Sequence, residues 1–142
     1  MNQKNSFSIF CFLCWNLFFS QNCKQFQEGV FKIDIGFGNM SIERKGNFQL
    51  ERSIDFGSVY LHKIEVISEC EYILKRYRVI LAGDLPKPNM IEMIKVQIYK
   101  VVDNNFFFHS QMLGTEQTLD GKFVKTSEVI SKEFEEIIAT EK

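Results

Sequence analysis

Residues 63–81, KIEVISECEYILKRYRVIL, constrain this chain more than any other stretch: two strand-like runs joined at Ser68-Glu69-Cys70. Ile64, Val66, Ile67, Ile73, Leu74, Tyr77, Val79, Ile80 and Leu81 are β-branched, aromatic or aliphatic, and neither Gly nor Pro interrupts them. Such residues suit a pleated surface, so the pair reads as the spine of a sheet.

The rest of the chain supplies strands to pair with that spine. Residues 28–35 put Phe31, Ile33 and Ile35 on one side and Lys32 and Asp34 on the other, and Gly36 to Asn39 end that strand. Ser41-Ile42-Glu43-Arg44 and Gln49-Leu50-Glu51-Arg52 form a near repeat about Lys45-Gly46-Asn47. A spacing of eight is too short for a solenoid, so they read as two arms of a hairpin. A three-residue loop with Asn47 left-handed would set Ile42 opposite Leu50 and Arg44 opposite Phe48. That leaves Ser41, Glu43, Gln49 and Glu51 on a wet face; a two-residue loop would set Ile42 against Glu51. Keeping the apolar residues on one face favours the first register.

Strands are further predicted over 59–67, 71–81 and 91–102, and from Phe106, with another near 121–125. The segment 82–89 carries Pro86 and Pro88, which break the ladder. At the end the period changes. Ile130, Phe134, Ile137 and Ile138 fall at helical spacing, which predicts a helix over about 127–140, capped by Thr126 or Ser127 and docked on the sheet. The chain is thus read as mainly β: a single antiparallel barrel or strongly curved sheet of seven to eight strands with a C-terminal α-helix. No segment is long enough for parallel crossovers.

Residues 1–20 place Lys4 in a short polar start ahead of an uncharged run from Phe7 to Phe19. This order is that of a secretory signal peptide, and the run falls short of the roughly 20 residues a membrane-spanning helix needs. The expected mature form is one β-rich domain over 21–142, exported to the periplasm, outer envelope or medium, with no integral membrane span. Removing the leader takes away Lys4 alone among charged residues and leaves 16 basic and 18 acidic ones. There is no basic patch to bind nucleic acid. Cys11 and Cys14 leave with the leader; Cys23 and Cys70 remain. An even pair in an exported chain is most simply one disulfide, and the competing reading makes Cys23 the lipid-modified first residue of an envelope lipoprotein.

Cys23, Phe26, Gly29 and Phe31, then Ile42-Glu43-Arg44 and Ser68-Glu69-Cys70-Glu71-Tyr72, resemble a loose set of small exported bacterial β proteins of unknown function. They share an early cysteine, an aromatic, "GxF" and a central S-[DE]-C-E-Y. The resemblance spans about residues 23–81 and implies export, a β fold and a structural cysteine pair, but no catalytic residue. The strand-then-helix order is similar to lipocalin-like barrels in architecture alone. The tryptophan that marks true lipocalins near the first strand is missing, since the single Trp is Trp15.

Few residues suggest chemistry. His62 and His109 sit in separate strands without ligand spacing, so no metal and no cofactor is expected, and both read as surface or rim histidines. Glu69 and Glu71 flank Cys70 and would point the same way, either as an acid/base pair or as a solvated ion cluster. Ser68 lacks a nucleophile elbow. The surplus of Phe, 15 in 142 residues, either fills the core or lines a pocket, and the run Phe106-Phe107-Phe108 must turn one ring outward. Three functional classes follow. The first is an exported, non-enzymatic binding or interaction module for a partner protein or an apolar small molecule, with Phe106, Phe107, Phe108, Tyr72, Glu69 and Glu71 as its candidate surface. The second is a small envelope hydrolase using Glu69 and Glu71, and the third a purely structural envelope lipoprotein.

Overall fold

The computed structural model describes residues 22–84, 86, 90 and 92–141. The leader read at 1–20 and Pro88 lie outside the described residues. A 3-10 helix over Cys23–Phe26 precedes eight strands: β1 (Gly29–Asp34), β2 (Met40–Lys45), β3 (Phe48–Ser53), β4 (Ser58–Ser68), β5 (Glu71–Leu81), β6 (Met93–Val102), β7 (Asn105–Met112) and β8 (Thr118–Ser127). Helix α1 (Lys132–Ala139) follows them. Sequence neighbours pair antiparallel throughout, and β8 returns to β1 with Phe123 opposite Ile33, so the sheet is a closed barrel. Gly29 lets that seam close: its φ is 129°, and a Cβ there would lie 2.7 Å from the Ser127 carbonyl oxygen.

The two ends differ. At one, the tight β2–β3, β4–β5 and β6–β7 turns surround the 3-10 helix, which drives Phe26 into the barrel. The Phe26 ring meets those of Phe31, Phe106 and Phe123 at centroid distances of 4.7, 5.3 and 4.6 Å. A disulfide from Cys23 to Cys70, 47 residues apart, ties this stopper to the β4–β5 turn. At the other end the connections 35–39, 54–57 and 113–117, with the described residues between β5 and β6, surround the mouth.

Helix α1 lies outside the barrel, where Phe134 and Ile130 pack on Leu50 of β3 and Leu61 of β4. It starts later than the period suggests: Ser131 is the N-cap, its Oγ accepting from the Phe134 amide. Thr126 and Ser127 belong to β8 instead. The cap is built from a distance, since Glu43 on the outer face of β2 accepts hydrogen bonds from both the amide and the hydroxyl of Ser131. No local sequence rule sees that partner, so Ile130 joins the apolar cluster from just ahead of the helix.

The hairpin register is also corrected. Two residues, Gly46 and Asn47, make the turn, with Gly46 left-handed at φ 58°, so Ile42 faces Glu51, Glu43 faces Leu50 and Arg44 faces Gln49. The expected register assumed one dry face. Here both faces are covered: Leu50 lies under α1, while Ile42, Arg44, Gln49 and Glu51 point into the barrel.

Candidate functional site

Strand alternation carries polar residues inward along one wall. From β2 to β5, Arg44 stands opposite Gln49, Gln49 opposite His62, and His62 opposite Arg76. One step nearer the mouth, Glu51 is opposite Tyr60 and Ser53 opposite Ser58. These are inward positions because Leu50 and Leu61, one residue away on the same strands, face out to α1. The facing wall is apolar, built from Leu74, Val96, Ile98, Phe108, Phe123 and Phe31. At its rim a recess of about 240 Å³ is lined by Ile94, Ser110, Met112 and Leu119 among others.

The polar wall is an electrostatic network. Arg76 donates to Glu92 at 3.0 Å, and its guanidinium lies 5.1 Å from the centre of the Tyr60 ring. His62 Nε2 is 3.6 Å from a Glu51 oxygen, a contact too long for a hydrogen bond. Burial, and secondarily the Arg76 charge, push the His62 pKa down to about 4, so the ring is neutral at pH 7. Burial raises the Glu51 pKa, with Arg76 pulling it back. Deeper in, burial lowers the pKa of Arg44 and raises that of Tyr72, each charge opposing the other's shift. Side-chain exposures of 16% for Arg76, 20% for Glu51 and 28% for Glu92 place these three where the mouth meets water.

The residues singled out from sequence do not form one surface. Phe106 and Phe108 are buried inside, whereas Phe107 turns outward, with Lys100 Nζ 5.4 Å from its ring centre. Tyr72 is also interior, against Phe26 and Arg44. Glu69 and Glu71 flank the disulfide at the stoppered end, each in an ion pair: Glu69 with Lys24 at 3.7 Å and Glu71 with Lys95 at 2.7 Å. His62 is not a surface residue: only 3% of it is exposed. His109 is exposed and contacts Asp120.

Sequence reasoning missed Arg44, Gln49, Glu51, His62 and Arg76 as a set. They alternate with apolar residues like any solvated strand face; only the helix covering the opposite face marks them as interior.

Fold and site together define an up-and-down eight-stranded β-barrel with a disulfide-tethered stopper at one end and an ionisable wall facing an apolar one within. No family model, curated protein or solved structure matches the chain. Among the described residues, no helix is long and apolar enough to cross a membrane.

Proposed function

We propose that this protein is an exported, non-enzymatic binding module that takes a small amphiphilic molecule at the barrel mouth. The reading rests on one observation: ionisable groups, the buried His62 with the half-buried Glu51 and Arg76, line the interior opposite an apolar wall. Burying such groups costs free energy that a purely structural barrel core would avoid with aliphatic side chains. A ligand laying its apolar body over Ile94, Met112 and Leu119 would bring polar groups to Arg76, Glu92 and Glu51 across the mouth. Concave sites with a mainly apolar lining and a few placed polar groups are the usual form of small-molecule sites. The meander barrel with an outer helix is similar in architecture to lipocalin-like barrels, and the leader-like residues 1–20 and the Cys23–Cys70 disulfide support export.

A hydrolase built on Glu69 and Glu71 has less support, because both carboxylates sit in ion pairs on the stoppered rim, away from the mouth. Native mass spectrometry of the protein isolated from its own envelope or medium tests the reading. A retained small molecule, lost on Arg76→Met in a variant that still folds, is the expected result. Protein that carries no added mass and gains none from extracts of those cells would refute it.

A further inference from the structure

The stoppered end holds a second feature that the mouth does not explain. Arg44 is 4% exposed, and its Nη1 donates to Gln49 Oε1 at 3.2 Å. Its Nε has no partner among the described residues, and none of their carboxylates pairs with it. The Tyr72 hydroxyl beside it is likewise buried and interacts directly with the guanidinium. The guanidinium carbon lies 4.3 Å from the centre of the Phe26 ring and 4.2 Å from that of Tyr72, and those centres are 6.1 Å apart. The two rings therefore abut the cation on adjacent sides, close to a right angle, and the edge carrying Nε has no acceptor among the described residues.

Arg44 also lines a recess of about 260 Å³ between Gln27 and Glu28 after the 3-10 helix, Gly46 and Asn47 in the turn, and Ile64 and Val66 of β4. The recess exists because β3 begins at Phe48, opposite Lys63, so the last residues of β4 run on past it. Glu28 at the lip is 58% exposed and 4.0 Å from Lys45 Nζ, so water and that ammonium screen its charge.

We propose that this recess is a binding site for the carboxylate of a small organic acid, with the Nε–Nη2 edge of Arg44 as its bidentate donor, and Ile64 and Val66 against the acid's short apolar tail. Three features carry this: a buried guanidinium lacking an anionic partner among the described residues, an Nε–H left without an acceptor among them, and a recess that Arg44 itself lines. A planar guanidinium edge matches a planar carboxylate, and buried polar groups without partners are rare outside sites that receive one. The volume suits an acid of a few carbons. The site is separate from the mouth, so it stands or falls independently of the reading given above.

The test is an NMR titration of the wild-type protein with hexanoate and, in parallel, hexanamide, following the assigned side-chain Nε–H resonances of its arginines at pH 7. Hexanoate is expected to move the Arg44 Nε–H resonance saturably and to bind at least about tenfold tighter than hexanamide, which is isosteric but uncharged. Equal affinity for the two, absence of saturable binding, or shifts confined to Arg52, Arg76 or Arg78 would each overturn the proposal. Because the wild-type chain gives the decisive result, a failure of an Arg44 variant to fold cannot mask it. Arg44→Lys, where folded, is expected to keep weak hexanoate binding without the bidentate preference.

Discussion

His62 links the barrel interior to pH in a way that can be measured. The ring is 3% exposed on β4, opposite Arg76 in the ladder, and its pKa is lowered from 6.5 to about 4, by burial first and by Arg76 second. In the unfolded chain the same ring titrates near 6.5. Between those values the unfolded state binds more protons than the folded one, so stability falls as pH drops from 6.5 towards 4 and levels off below. At 1.36 kcal/mol per pH unit, the window is worth about 3 kcal/mol. Glu51 has the opposite sign: its raised folded pKa gives stability that is present below 4.5 and lost as pH rises through the folded value. In the wild type the two slopes oppose each other. His62→Gln removes one of them and keeps a polar side chain of similar reach. The assay is urea unfolding of both proteins followed by circular dichroism at pH 7, 6, 5 and 4. Whatever constant packing cost Gln carries, the difference in unfolding free energy should move in the variant's favour by about 3 kcal/mol from pH 7 to pH 4. A difference that stays constant over that range would refute the argument, since it would mean that His62 binds its proton equally well in both states.

Two further outcomes follow from the ends of the barrel. Replacing Cys23 and Cys70 together by Ala opens a 47-residue loop, and chain entropy alone sets the expected loss at about 4 kcal/mol in denaturant unfolding; a loss below about 1 kcal/mol would mean that the stopper seats without its tether. Phe134→Ala empties the fully buried centre of the outer cluster and should cost about 3–5 kcal/mol, with far-UV dichroism reporting whether α1 stays helical.

How far the sequence reveals the fold depends on where each signal resides. The span of β5 could be read directly from 71–81, because its apolar run is bounded by the tight turn at Glu69-Cys70 on one side and by the Ala82-Gly83 break on the other. Strand pattern alone does not separate a closed barrel from a strongly curved sheet, and the Cys23–Cys70 disulfide is the simplest outcome of an even cysteine pair. The start of α1 was not legible, since its cap draws on Glu43, 88 residues away from Ser131. The β2–β3 register is not legible for a related reason: a single dry face would hold both Leu50 and Ile42, whereas the helix dries the outer face and the barrel the inner one. The ionisable wall stayed hidden with it. Gln49, Glu51 and His62 carry no local mark of burial; what buries them is closure of eight strands, a property of the whole chain.

The position of α1 is also what allows that wall to be polar. In β6 to β8 the usual division holds, with Val96, Ile98, Phe108 and Phe123 inside and Gln97, Tyr99, His109 and Asp120 facing water. In β3 and β4 it is reversed at the centre: Leu50 and Leu61 face outward while Gln49, Glu51, Tyr60 and His62 face inward. A strand that presented polar residues to the interior and its apolar ones to water would not hold its place in a barrel. By covering Leu50 and Leu61 with Ile130 and Phe134, the helix moves the hydrophobic contribution of these two strands to the outside of the barrel. The interior positions are then released from packing duty and can carry Glu51, His62 and Arg76, whose burial would otherwise have no offset. The helix is therefore coupled to the interior chemistry without touching it: stability on the outer face is what permits ionisable groups on the inner one.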